Sequence, residues 1–309
     1  MTAGWHVSVT WPEVAQAARA HQRRAVAKLV TQFEDPRPAA AAVRREVIAA
    51  LDADGARLGR VIGLTGAPGA GKSSLVGALA TAIVADGGSL AVVAVDPSSP
   101  VSGGAFLGDR TRVRFPPDEP RLYFRSQPSR GALGGLAPST FQVCRLLARL
   151  YDTVIVETVG VGQSEIEVAA IADATFLVIA PHGGDEVQFM KAGIMEIPDG
   201  FVLSKDDLGA GAERAHAQLR AALRLSGVGP RPIFRTSAQR GAGITELAQV
   251  WAAISPGGLT AREPAQFARW VADEHGRAAA ARLNAAGGAA AYLAAHGGFD
   301  AAQLAFAGA

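Results

Sequence analysis

The sequence predicts an α/β fold: a mostly parallel, doubly wound sheet with helices added before and after it. Three observations predict it. From about residue 60 to residue 255, short apolar runs of strand length alternate with segments whose apolar residues recur every three or four positions. The runs are apolar throughout, which suits strands covered on both faces. Each polar motif in this stretch begins where one such run ends, as expected when a ligand sits at the carboxyl ends of parallel strands.

The elements follow in order. Thr10-Trp11-Pro12-Glu13 reads as a capping box opening one helix that continues to about Thr31, and after Asp35-Pro36-Arg37-Pro38 a second helix carries Val43, Val47, Ile48 and Leu51 on one face. Residues 1–58 are therefore an N-terminal helical region. Strands are expected at 61–65, 90–95, 122–124, 153–156, 175–179, 201–203 and 233–234. Val76 with Leu79, Leu146 with Leu150, Val187 with Met190 and Ile194, Leu219 with Leu223, and Leu247 with Trp251 mark the helices between them. The long interval 96–140 is rich in Gly, Pro and Ser, and loops of this length in compact domains usually carry function. Residues 256–309 are a C-terminal helical extension in which an amphipathic stretch around Phe267, Trp270 and Val271 gives way to Ala and Gly. Helices with so few large side chains rarely build a core of their own. Two expectations stay open for this extension: packing on a partner, such as a second copy of the chain in a homodimer, or a loosely packed tail.

Composition narrows the function classes. The chain has 309 residues, 49% apolar and 19% charged, enough for one large α/β core with helical additions, the simpler reading, or for two modest domains, and leaving no room for extensive disorder. A net charge of +2, with basic clusters no longer than the pairs Arg23-Arg24 and Arg44-Arg45, leaves no footprint for nucleic acid; such pairs usually mark solvated helix faces. Apolar runs such as residues 174–180 are far too short to span a membrane. No charged-then-apolar leader opens the sequence, so the expected location is cytoplasmic. The lone Cys144, on a helix with Val143 and Leu147, is expected in the core.

The motif that carries most information is Gly66-Ala67-Pro68-Gly69-Ala70-Gly71-Lys72-Ser73, which fits G-x-x-x-x-G-K-[ST] and lies between a strand and a helix bearing Leu75, Leu79 and Ile83. This is the phosphate cradle of a P-loop NTPase. Its glycines let backbone N–H groups point at a di- or triphosphate, and the helix adds the positive end of its dipole. Lys72 is expected to reach the β/γ-phosphates, Ser73 to ligate magnesium, and Ser74 to join the nucleotide contacts. These residues make 59–255 a nucleotide-hydrolysing domain.

Further stretches assemble around that cradle. Asp96, after the second strand, is placed to hold magnesium directly or through water. Glu157-Thr158-Val159-Gly160 ends the fourth strand, where P-loop GTPases carry Asp-x-x-Gly: its carboxylate can order the metal shell and the Gly160 N–H can sense the γ-phosphate. Ser204-Lys205-Asp206-Asp207 resembles the guanine-reading [NT]-K-x-D. The Asp207 carboxylate can accept from guanine N1–H and its amine, whereas adenine offers no N1 donor. Lys205 can lay its stem along the base, and Ser237-Ala238 can offer an N–H to guanine O6. Serine at 204 keeps a hydroxyl but lacks the asparagine amide that braces this loop.

Together with Val95-Asp96-Pro97-Ser98-Ser99, Gly103-Gly104, Leu107-Gly108-Asp109-Arg110-Thr111-Arg112, residues 131–135, residues 156–165 and the run 183–196, these motifs resemble the MeaB/ArgK-type GTPases. Proteins of that type serve adenosylcobalamin-dependent acyl-CoA mutases such as methylmalonyl-CoA mutase. The resemblance implies bound GTP or GDP with magnesium, and a mutase as partner. It also implies roles in magnesium binding and hydrolysis for Asp96, Asp109 and Glu157, with Asp109 in a first switch, and a further switch over 183–196 with Gln188 and Lys191 as its polar members. Departures are Ser204, His182 in place of glycine, Pro138 in a segment usually basic, and the small side chains of the C-terminal extension. The expectation is a magnesium-dependent GTPase that gates cofactor delivery to, or protection of, a mutase. The alternatives are a metal-insertion GTPase, which needs a ligand-spaced Cys/His set that one cysteine and six scattered histidines do not provide, and a P-loop small-molecule kinase, against which Asp207 and the Glu157 switch argue.

Overall fold

A computed structural model describes residues 10–53, 55, 58–96, 116, 118–129, 136–158, 164–181, 194–227 and 229–308. Two compact units partition the chain: Gly59–Thr140 with Tyr151–Arg262, and Met1–Leu58 with Phe141–Leu150 and Glu263–Ala309.

The first unit is built on seven strands, β1 (Arg60–Thr65), β2 (Leu90–Asp96), β3 (Leu122–Pro128), β4 (Thr153–Glu157), β5 (Ala174–Ile179), β6 (Gly200–Leu203) and β7 (Ile233–Arg235), in the order β3-β2-β4-β1-β5-β6-β7. Every neighbouring pair is parallel. The seven strands lie where the apolar runs place them: β1, β2, β4, β5 and β6 are buried almost throughout, whereas the edge strands β3 and β7 are partly exposed. On one face Phe176, Val178 and Val202 meet Leu75 and Leu79 of α4 (Lys72–Ala85) together with Leu247 and Trp251 of α8 (Ile244–Ala252). On the other, Leu177 and Phe201 meet Leu219 and Leu223 of α7 (Ala210–Ser226). Odd and even strand positions thus feed different layers, which is the period-two geometry of a strand. A short α6 (Ser164–Ala169) lies along β1 and β5.

The second unit is helical. It holds α1 (Trp11–Arg19), α2 (Arg23–Glu34), α3 (Pro38–Ala53), most of α5 (Pro138–Leu147), and, after Glu263, most of α9 (Gly258–Ala285), α10 (Gly288–His296) and α11 (Phe299–Ala307). Three expectations are corrected here. The single helix expected over 10–31 is two, α1 and α2, because His21 adopts a left-handed φ of 55° and its ring nitrogen bonds the Leu150 carbonyl at 2.8 Å. That tertiary contact outweighs the helix-compatible sequence.

The Arg44-Arg45 pair is split: Arg45 is exposed as expected, but Arg44 is only 4% exposed. Its Nε donates to Asp300 at 3.2 Å, its Nη1 to the Asp35 carbonyl at 2.9 Å and its Nη2 to Gln303 at 3.0 Å. Arg145, also buried, donates to Asp300 at 2.9 Å, Gln142 at 2.7 Å and Glu263 at 2.9 Å. Burial and the nearby Arg145 push the Arg44 pKa down despite Asp300. Burial opposes the charge on Arg145 as well, but the attraction of Asp300 and Glu263 outweighs it and that pKa rises.

The C-terminal extension is neither tail nor coreless. Phe267 is fully buried, with ring centroids 5.7 Å from Tyr292, 5.5 Å from Phe299 and 6.2 Å from Phe306. Helix α11 packs on α3. A handful of aromatic rings supplies the apolar area that the alanines lack.

Candidate active site

The crevice lies at the carboxyl ends of the strands, as the alternating topology requires. Strand β1 is central, and its last residues run into the loop that opens α4. Gly66 has φ 144°, and a side chain there would meet the Val178 carbonyl, so the loop can leave the sheet only without a Cβ. Gly71, at φ 91°, ends the turn as the N-cap of α4.

Lys72 is 8% exposed, and its ammonium donates to the carbonyls of Gly66 at 2.6 Å and Ala67 at 3.1 Å. It is thereby held across the mouth of the loop. Ser73, next along α4, donates its hydroxyl to Glu157 Oε1 at 3.0 Å. Glu157 reaches this point because β4 pairs with β1 in a register that sets Leu64 opposite Glu157. The Thr158 N–H then donates to the Leu64 carbonyl at 3.0 Å, and its hydroxyl donates to that of Thr65 at 3.0 Å, fixing the strand end beside the loop. Ser73 and Glu157 offer a hydroxyl and a carboxylate, the hard oxygen donors that magnesium takes. Asp96 is the final residue of β2, on the other side of β4; its side chain lies outside the described residues. Asp109, Gly160, His182, Gln188 and Lys191 lie outside them too.

The second half of the crevice follows β6 and β7. Ser204 donates its hydroxyl to the Ala70 carbonyl at 2.6 Å, and the Lys205 ammonium donates to the Gly69 carbonyl at 2.9 Å. The loop bracing thus comes from the Ser204 hydroxyl and the Lys205 ammonium. Lys205 itself adopts a left-handed φ of 54°, which turns the chain into the short helical turn Asp206–Leu208. Asp207 accepts from the Ser237 hydroxyl at 2.5 Å, and this bond holds its carboxyl below the usual range. Arg235 pins the turn by donating to Asp206 at 2.6 Å and Glu213 at 2.8 Å.

Between the two halves is a cavity of about 230 Å³, lined by Gly71, Ser74, Leu75, Ser204, Lys205, Asp207, Leu208, Thr236, Ala238 and Gln239. Of these, Leu208, Thr236 and Gln239 were not among the residues the motifs single out. Leu208, Thr236 and Gln239 adjoin predicted positions in sequence, and that adjacency was the only signal available. The glycine-rich loop and the Asp207 carboxylate thus lie at the two ends of one crevice, with Gly71 and Ser74 lining the cavity between them.

A family model described as methylmalonyl-CoA mutase-associated GTPase MeaB matches residues 26–283. A protein of Mycobacterium tuberculosis named a probable GTPase is 37% identical over 256 residues, covering 80% of this chain and 75% of its own. The mouse protein named methylmalonic aciduria type A homolog, mitochondrial, is 42% identical over 193 residues, covering 60% of this chain and 46% of its own. Among solved structures, a LAO/AO transport system kinase superposes with a TM-score of 0.61 at 28% identity, over 87% of this chain and 84% of that one. The family match spans most of the chain, including every strand of the sheet and both halves of the crevice, and the chain belongs to the MeaB family of GTPases.

Proposed function

We propose that this GTPase hydrolyses GTP to GDP and phosphate with magnesium, and that its nucleotide state gates the loading or protection of an adenosylcobalamin-dependent acyl-CoA mutase of the methylmalonyl-CoA mutase type. The observation that carries the hydrolysis is the convergence of Lys72, Ser73 and Glu157 on one side of the crevice with the hydrogen-bonded Asp207 and Ser237 on the other. The partner is supported by the family description.

Lys72 can exchange its two carbonyl acceptors for phosphate oxygens, and its charge then offsets the negative charge that accumulates as the bond to the γ-phosphoryl group loosens. Ser73 and Glu157 would hold magnesium, with Asp96 and Asp109 as the further acidic residues of that shell. Magnesium, when bound, supplies charge neutralisation at the β- and γ-phosphate oxygens. Ser204 and Lys205 tie the base loop to the phosphate loop, so that a base seated on Asp207 keeps the cradle in register. Gly160 belongs to the segment that responds to the γ-phosphate. The expected location is the cytoplasm; among the described residues no helix is long and apolar enough to cross a membrane.

The test is GTP turnover of the purified chain with and without candidate mutases, alongside cofactor loading of the mutase with each nucleotide. A cognate mutase is expected to raise turnover and to load cofactor differently with GTP than with GDP. Unchanged turnover together with nucleotide-independent loading would refute the mutase role.

A further inference from the structure

A second concave site lies on the nucleotide unit, at the end of the sheet away from the phosphate loop. A cavity of about 630 Å³ is lined by His216, Arg220 and Arg224 of α7, by Arg231 of the connection that follows, and by Leu223 and Ile233 at its apolar base. Because α7 runs back from the carboxyl end of β6 to the amino end of β7, the cavity opens beside the edge strand at the opposite end from Lys72.

His216, Arg220 and Arg224 are spaced four residues apart, which puts them in one row along a single helix face. Like charges in such a row repel, and none of the residues lining the cavity is acidic. Among the described residues, neither Arg220 nor Arg224 has a hydrogen-bond or ion-pair partner, although many of the chain's other arginines are paired. Arg231 Nε is buried without an acceptor, and Asp199 approaches that guanidinium only to 4.0 Å. Complementing the negative end of the α7 dipole accounts for Arg224, which sits in the last turn, but not for Arg220 or His216 further back. Three guanidinium forks around a concavity of small-molecule size match the planar, multiply charged oxygens of a phosphate chain.

We propose that this cavity is a second anion site, distinct from the GTP site, that takes a small ligand carrying a diphosphate group. It is independent of which partner the GTPase serves. Arg220 and Arg224 grip the diphosphate from the helix, Arg231 closes on it from the loop, and the apolar base accepts the uncharged part of the ligand.

The experiment uses the full chain saturated with GDP, so that the phosphate loop is filled, and titrates inorganic pyrophosphate calorimetrically at low salt without added magnesium. The wild type is expected to show one saturating site. Affinity should fall about tenfold for each guanidinium removed in Arg220→Ala and Arg224→Ala, the loss of one charge-assisted hydrogen bond, with GDP affinity unchanged. Arg231→Gln provides the same readout from a different element should the helix variants fold poorly. Absence of saturable pyrophosphate binding by the wild type, or equal binding by the variants, overturns the proposal. So does an oligoglutamate peptide that competes with pyrophosphate at equal affinity, because the surface would then be a docking patch for acidic protein segments.

Discussion

Lys72 is held by two loop carbonyls, so its removal leaves the backbone of the loop and its glycines in place. Lys72→Ala should therefore lower GTP turnover by about a hundredfold or more, the usual scale for deleting a donor aimed at transition-state charge, with the circular dichroism spectrum retained. An equally active variant would remove Lys72 from the mechanism. Asp207 behaves differently, because its role depends on ionisation. Its folded pKa lies below the ordinary 3.8, chiefly through the Ser237 hydroxyl, so the carboxylate stays charged at every pH above that value and is lost only as pH falls through the depressed one. This group should leave GDP affinity flat from about pH 8 down to about pH 5, and Ser237→Ala should move the acid limb upward. Titrations at a series of pH values check the direction; an acid limb that moves down in the variant contradicts it. The motifs made Lys72, Ser73, Glu157 and Asp207 legible in the sequence, because each lies at or just after a strand end at a fixed offset. The bracing by Ser204 was not, since only the fold brings residue 204 against Ala70.

At the scale of elements, the junction of α3, α5, α9 and α11 rests on two buried arginines sharing one aspartate. Asp300→Ala would leave both guanidinium groups without that counter-charge, and removing one partner of a buried charge cluster costs about 3–5 kcal/mol. Urea unfolding should show it as a lower midpoint, while Asp300→Asn, which keeps an acceptor, should cost less. Phe267→Ala should destabilise by a similar 3–5 kcal/mol, because the ring sits among Trp270, Tyr292, Phe299 and Phe306. A change below about 1 kcal/mol in either alanine variant would mean the cluster does not hold these helices together. None of this could be read from the Arg44-Arg45 pair or from the alanine-rich extension. Periodicity places a residue on a helix face, but whether that face meets water or another helix is decided by elements up to 259 positions away.

The chain as a whole folds as two compact units, only one of which holds the nucleotide crevice. Ligand present at a hundred times its dissociation constant stabilises the unit that binds it by about 2.7 kcal/mol. In calorimetric scans GDP should therefore raise the transition of the nucleotide unit, and ADP should not; Asp300→Asn should lower the transition of the helical unit. Equal stabilisation by ADP would undo the guanine assignment of the Asp207 loop. The sequence by itself determined the seven strands and the two halves of the crevice, because uninterrupted apolar runs and fixed-offset motifs are local properties of the chain. Tertiary structure alone decided which segments make up the helical unit, that Arg44 is buried, and that His21 breaks a helix. Those outcomes depend on contacts between residues distant in sequence, whose energies no local pattern encodes.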